Sequence, residues 1–253
     1  MLSERQMEIL NLARAQRRVS VDELAEKFSV TSQTIRRELN DLCQRQMLQR
    51  VHGGAVMLSG IENVSYDSRR VLAPDAKRRI GVKAASLIPG NCALFINIGT
   101  TTEQVAHALT NHVGLVAITN NINVANILRP AHRIEVIIAG GVVRRSDGGI
   151  VGEATVDFIN QFKVDYAVIG ASAIDPDGTI LDYDYREVWV SQAIMRNARQ
   201  VILVADAMKF RRSAPMRIAH FSQINVFVTD EELPQPLARI AAESGVQVEI
   251  AAD

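Results

Sequence analysis

Two short runs of this sequence carry side chains arranged for chemistry. In the first, Ser32, Gln33, Thr34, Arg36, Arg37 and Asn40 crowd into nine residues. Ile35, Leu39 and Leu42 recur among them at i, i+4 and i+7, the spacing of one buried helix face. At about 100° per residue, Gln33, Arg36, Arg37 and Asn40 then fall opposite that face. Such a set suits a major groove, because a glutamine amide pairs with adenine and an arginine with guanine or phosphate. Ser32 and Thr34, in the first turn, add hydroxyls and open N–H groups that favour a phosphate. Arg50 and His52 follow on an extended stretch and are placed to lie against the flanking backbone or the minor groove. The second run is Asn97-Ile98-Gly99-Thr100-Thr101-Thr102, between an apolar run and a helical stretch. Gly99 lets the backbone approach a ligand, the next N–H groups point outward at the positive end of the helix, and three hydroxyls suit phosphate oxygens. The same run serves equally well as a threonine-rich helix cap without a ligand. Asp206 and Lys209 follow the apolar run 201–205, at the carboxyl edge where open α/β sheets bind ligands.

Other polar clusters read less sharply. Asp175, Asp182, Tyr183, Asp184 and Arg186 share a loop region, either to hold ligand hydroxyls or as solvated turn residues. Gly140-Gly141 and Gly148-Gly149 read as turns, and Arg144-Arg145 between them as solvated side chains. Cys43 and Cys92 are too few for a disulfide scaffold and too far apart for a zinc motif. No catalytic residue, cofactor or metal is expected.

The elements that must position these residues come in two styles. Among the first 56 residues, nine Lys or Arg stand against seven Asp or Glu, and the apolar pattern is helical. Ile9, Leu12 and Ala13, widened by Leu10, mark a first helix. Ser20 and Glu23 have the form of a capping box, and Val21, Leu24, Ala25 and Phe28 line one face of a second helix. A break at Ser29-Val30 precedes a third, starting near Thr31 or Ser32. Residues 48–56 are extended, with Gly53-Gly54 suited to a hairpin turn. This layout predicts a winged helix-turn-helix over residues 1–56. Residues 57–74 lack a period and contain Ser59-Gly60 and Pro74, which predicts a linker.

A helix is predicted over 75–87, capped by Asp75 and stopped by Pro89-Gly90. Short apolar runs then occur at 93–98, 115–119, 134–139, 165–169, 201–205 and 226–229. Helical stretches at 103–109, 124–128, 154–162, 187–198 and 236–244 lie between most of them. That alternation predicts a mostly parallel α/β domain over 75–253, with helices on both faces of its sheet.

Composition narrows the class. The chain has 253 residues, 47% apolar and 22% charged, enough for a packed core and against disorder. Its 28 Lys or Arg balance 28 Asp or Glu, which excludes a uniformly basic protein but not a local basic face. No apolar run approaches the roughly 18 residues of a membrane span. The charged start is unlike a signal peptide, so a cytoplasmic location without membrane attachment is expected.

Phe28-Ser29-Val30-Thr31-Ser32-Gln33-Thr34-Ile35-Arg36-Arg37-Glu38-Leu39, with Arg50-Val51-His52-Gly53-Gly54-Ala55, resembles the DNA-binding signature of the DeoR family of bacterial repressors. Ile98-Gly99-Thr100-Thr101, Thr119-Asn120-Asn121, Ala139-Gly140-Gly141, Gly152-Glu153-Ala154-Thr155 and Asp206 with Lys209 resemble its sensor-domain motifs. The resemblance implies a repressor that holds double-stranded operator DNA and is released by a phosphorylated polyol or sugar. It also implies an effector site at Asn97, Gly99, Thr100, Thr101, Thr102, Asp206 and Lys209. Ser146-Asp147-Gly148-Gly149-Ile150-Val151 and Asp182-Tyr183-Asp184-Tyr185-Arg186-Glu187-Val188 are similar to one branch of the family, which implies glycerol-3-phosphate. Three positions depart from the family pattern: Asn97 replaces an Asp, Met208 a Ser and Arg211 a Gly. One winged module contacts few base pairs, so a homodimer or homotetramer is expected.

The sensor layout is also similar to that of ribose-5-phosphate isomerases, which makes a sugar-phosphate isomerase fused to a DNA-binding module the rival reading. Those enzymes carry an acidic Asp-Gly-Ala-Asp-Glu segment for proton transfer. Here the matching stretch is Ile169-Gly170-Ala171-Ser172-Ala173, with no acid. Sensing without turnover is therefore expected.

Overall fold

The computed structural model describes residues 2–16, 18–45, 47–51, 53–57 and 66–252. Two compact units, Met1–Val64 and Ser65–Asp253, divide the chain. The first contains α1 (Glu4–Gln16), β1 (Arg18–Ser20), α2 (Val21–Lys27), α3 (Ser32–Gln44), β2 (Leu48–Val51) and β3 (Gly54–Met57). Ile9, Leu10, Ala13, Leu24, Ile35, Leu39 and Leu42 fill its small core. The hydroxyl of Ser20 accepts from the Glu23 N–H at 3.1 Å, which starts α2. Ser29 turns the chain with φ 52°, and Thr31 caps α3 by accepting from the Thr34 N–H at 3.2 Å. The hairpin β2–β3 forms at the expected Gly53-Gly54, and β1, too short to read from a pattern, adds to it antiparallel.

In the second unit, α4 (Tyr66–Val71) is helical inside the stretch read as linker. Next come α5 (Pro74–Ser86), β4 (Ala93–Ile96), α6 (Thr100–Leu109), β5 (Leu115–Thr119), α7 (Ile122–Leu128) and β6 (Ile134–Ile138). A hairpin of β7 (Val142–Val143) and β8 (Ile150–Val151) leads into α8 (Glu153–Ile159) and β9 (Val164–Ile169). Then follow β10 (Ala173–Ile174), β11 (Thr179–Asp182), α9 (Tyr185–Arg196), β12 (Ala198–Val204) and a short 3₁₀ turn, Ala207–Arg211. β13 (Met216–His220), β14 (Val226–Thr229), α10 (Gln235–Ser244) and β15 (Gln247–Ile250) complete it. Asp75 does not cap α5. Ala73, with φ 47°, stands at the cap and Pro74 opens the helix, while Asp75 lies in the first turn where a carboxylate is favoured.

The expected parallel sheet is present, in the order β15-β14-β12-β9-β4-β5-β6. Its strands alternate their side chains between two cores. Leu94 and Ile96 face Ile80, Val105 and Leu109 on one side, and Phe95 faces Ile159, Val190 and Ile194 on the other. A second, antiparallel sheet, β10-β11-β13, lies outside the predicted alternation because its strands are short, and β11 and β13 are separated by α9, β12 and the 3₁₀ turn. From β4 the chain builds outward to β6, and from β9 in the opposite direction to β15. The switch of direction falls between the neighbours β4 and β9. There the connections leave on opposite faces and open a crevice at the carboxyl ends.

Each unit should report its own packing. Leu39→Ala removes a fully buried side chain of α3 and should cost the small unit about 2–5 kcal/mol. Gly81→Ala places a Cβ 2.6 Å from the Gln104 backbone between α5 and α6, and should cost the larger unit about 1–3 kcal/mol. Denaturant unfolding followed separately in each unit checks both; a loss in the wrong unit contradicts the packing.

Candidate functional site

On α3 the core face and the polar face separate as the periodicity requires. Ile35, Leu39 and Leu42 are fully buried, Gln33, Arg36, Arg37 and Asn40 are exposed, and Ser32 and Thr34 are half-buried in the first turn. The acids of α3 are engaged by other side chains. Glu38 accepts from the Arg5 guanidinium at 2.6 and 2.9 Å, and Asp41 accepts from Gln6 at 2.8 Å and Arg45 at 3.0 Å. Among the described residues no ion pair engages Arg36 or Arg37, so both guanidinium charges remain unneutralised on that face. Arg50 is exposed and one of its N–H groups donates to the Gly54 carbonyl at 2.8 Å across the hairpin. His52 lies outside the described residues.

The second cluster gathers at the switch between β4 and β9. Gly99 caps α6 in a conformation with φ 151°, and a Cβ there would stand 3.3 Å from the Thr102 hydroxyl. Thr100 and Thr101 line a cleft with Gly99 and Thr102, joined by Arg69, Gly170, Ala171, Ser172, Asp182, Glu187 and Lys209. No hydrogen bond among the described residues engages the hydroxyls of Thr100 and Thr101. That of Thr102 is committed to the loop, 2.7 Å from the Asn97 carbonyl and 2.8 Å from that of Gly99. The free volume is only about 20 Å³, about one water molecule, so a larger ligand must displace side chains.

Two predicted residues support the cleft without lining it. Asn97 accepts from the Ile98 N–H at 2.7 Å and donates to the Ser191 hydroxyl at 2.8 Å, which turns it toward α9. Asp206 caps the 3₁₀ turn by accepting from the Met208 N–H at 3.1 Å. That turn delivers Lys209 to the cleft, 8% exposed and with no hydrogen bond or ion pair to its ammonium among the described residues. Burial pushes Lys209 down to about 7; Asp206 opposes the fall, and Arg212, Arg69 and Lys77 add to it. The departures Met208 and Arg211 are exposed and absent from the cleft lining.

The periodicity hides what comes from other elements. Asp182 ends β11, where its carboxylate accepts from Ser172 at 3.0 Å and from the Tyr183 N–H at 2.6 Å. Burial, helped by Asp182, raises Glu187 to about 8, against the pull of Arg144. Arg144, expected in solvent, is instead enclosed. Its guanidinium donates to Asp147 at 2.6 and 2.8 Å, Asp184 at 3.1 Å and Glu187 at 2.5 Å. Asp147, three residues on, is local; folding adds Asp184 and Glu187, and no local signal marks those two. Acids therefore do reach the cleft, from β11 and α9, although 169–173 has none. Among the described residues no group of three His, Cys, Asp or Glu is placed to hold a metal ion, and no helix is long and apolar enough to cross a membrane.

Residues 5–60 match the DeoR-like helix-turn-helix domain and residues 73–231 the DeoR C terminal sensor domain. The glycerol-3-phosphate regulon repressor of Escherichia coli (strain K12) is 43% identical over 248 residues, 98% of each chain. That of Haemophilus influenzae is 44% identical over 229 residues, 90% of this chain and 89% of that one. Ribose 5 phosphate isomerase A from Neisseria gonorrhoeae superposes with a TM-score of 0.39 at 15% identity, covering 53% of this chain and 52% of that one.

Burial of Lys209 has a pH signature. The folded lysine releases its proton near 7, the unfolded one only near about 10.4. Between those values the unfolded state binds more protons, so this group's cost to stability is full below about 7 and fades as pH rises. Lys209→Met should be more stable than the parent at pH 6, by a margin that shrinks toward pH 9. A margin independent of pH in urea unfolding would refute the buried charge.

Proposed function

The chain belongs to the DeoR family and is a transcriptional repressor, and on that premise we propose that a phosphorylated polyol or sugar, glycerol-3-phosphate foremost, enters the cleft and releases operator DNA. The observation that carries the effector site is the ammonium of Lys209, unpartnered among the described residues, beside Thr100 and Thr101 at the N-terminus of α6. A phosphate there meets open N–H groups, the positive end of the helix, two free hydroxyls and a desolvated cation. Asn97 and Asp206 act from behind, one setting the loop and the other the turn. The 43% and 44% identical relatives named for glycerol-3-phosphate favour that compound.

On the DNA side, Gln33, Arg36, Arg37 and Asn40 read the major groove, while Ser32, Thr34, Arg50 and His52 hold phosphates or the flanking backbone. Two modules on repeated half-sites are needed for useful affinity, so the working form is a homodimer or homotetramer. A cytoplasmic protein without membrane attachment fits this role. We favour sensing over isomerisation even though two acids reach the cleft. Asp182 already accepts two hydrogen bonds and Glu187 is held by Arg144, so neither is a free base.

Two measurements test these assignments. In anisotropy titrations on the protein's own upstream DNA, replacing a phosphate-bound arginine by alanine should flatten the salt dependence by about one unit of slope. Replacing a base-bound one should cost about 1–3 kcal/mol and relax preference at one position. If Arg36→Ala and Arg37→Ala both bind like the parent, α3 is not the reading element. For the cleft, calorimetry should show binding of glycerol-3-phosphate and little of glycerol. Thr101→Ile should abolish that binding together with the DNA response. Retained binding in that variant places the ligand elsewhere.

A further inference from the structure

Arg69 belongs to α4, the first described element after the small unit in sequence, and its side chain lines the cleft. Its Nε is sealed from solvent with no hydrogen-bonding partner. Its only ion pair among the described residues is long, with Nη2 3.4 Å from Asp147 Oδ2. That oxygen is already held by Arg144 at 2.6 Å, so Arg69 leaves it at little cost. Buried donors without partners are rare and costly, and this one belongs to a residue lining the cleft that Lys209 also lines.

The rest of α4 is tied to the same structure. The Lys77 ammonium, 4% exposed, donates to the carbonyls of Arg69 and Leu72 at the end of the helix. At its start, the Tyr66 hydroxyl lies 2.9 and 3.0 Å from the two carboxylate oxygens of Glu103, in the first turn of α6. Asn123 of α7 donates to both Tyr66 and Glu103. A helix that precedes the sensor fold in sequence is thus fastened to the helix whose N-terminus faces the cleft.

We propose that Arg69 is an effector ligand: its free Nε and the neighbouring N–H group take a phosphate oxygen of the bound effector. Through Arg69 and Tyr66, occupancy of the cleft is then felt by α4, and so by the chain that leads to the DNA-binding unit. This rests on the effector site proposed above. It assigns to the former linker the differential contact without which a ligand shifts no equilibrium.

The test uses the full chain, glycerol-3-phosphate and inorganic phosphate as probes, and operator DNA. In calorimetry, Arg69→Gln should weaken both probes about tenfold or more, the worth of a charged hydrogen bond. The glycerol-3-phosphate needed to release half the DNA should rise by the same factor. Arg69→Lys, which keeps charge but not the forked donor, should lose at least about threefold. It decides the matter if Arg69→Gln fails to fold by circular dichroism. Tyr66→Phe should leave glycerol-3-phosphate affinity without DNA within about threefold, yet shrink the ligand-induced change in DNA affinity. Parental affinities in the Arg69 variants, while Thr101→Ile abolishes binding, overturn this assignment alone. An undiminished DNA response in Tyr66→Phe overturns the route through α4. Failure of the parent to bind either probe overturns the effector site and this inference together.

Discussion

A lysine ammonium enclosed at the carboxyl edge of a parallel sheet, with no hydrogen-bonding partner among the described residues, is an expensive arrangement. Lys209 is held in it by three features that the rest of the fold supplies. The reversal of strand order between β4 and β9 opens the crevice. The Asp206-capped turn after β12 aims the side chain into it. Asp206 offsets part of the desolvation. Around it, Arg69, Lys77 and Arg212 add further positive charge rather than relieving it. On the function proposed above, that cost to stability is the counterpart of binding an anion.

Behind Glu187, which lines the cleft, a second set of charged groups is built on a different rule. Arg144 donates to Asp147, Asp184 and Glu187 at once, and burial together with Asp182 raises Glu187 to about 8. A buried set of this kind contributes little net stability compared with apolar packing, but loss of its cation is severe because it strands the acids. Its consequence lies in geometry: it pins the β7–β8 hairpin to α9 and keeps Glu187 and Asp184 from moving freely beside the cleft. Glu187 is therefore engaged by Arg144, while Lys209, Thr100 and Thr101 bring open donors to the same cleft. The space between them holds little more than a water molecule, so the binding proposed above requires side chains to move aside.

The small unit solves a narrower problem. With few residues for a core, it devotes one whole face of α3 to packing and leaves the other to solvent. Arg5 and Gln6 of α1 withdraw the acids Glu38 and Asp41 from that outer face. The net result is a cationic, hydrogen-bonding surface on a helix whose orientation is set by Ile35, Leu39 and Leu42.

Local pattern was enough for the elements whose side chains report their own surroundings. The three helices of the small unit, its Gly-Gly hairpin, the exposed face of α3 and the alternating strands and helices of the sheet all follow from periods of 3.6 and 2 and from turn chemistry. The loop Gly99–Thr102 was legible too, because glycine and hydroxyl residues between a strand and a helix have a local meaning. What chain order could not show is which distant segments the sheet reversal brings together. Arg69 sits in a stretch without period, Asp182 at the end of an unread strand, and Glu187 within an ordinary amphipathic helix. The turn residues around Arg144 predict a solvated side chain; Asp147 is near in sequence, but Asp184 and Glu187 arrive from the loop before α9 and from α9 itself. Asn97 and Asp206 are predicted to line the site, and the fold instead turns them behind the cleft. Residue type and spacing determine what a segment can form; burial and charge environment are properties of neighbours far away in sequence, and only the folded sheet supplies those.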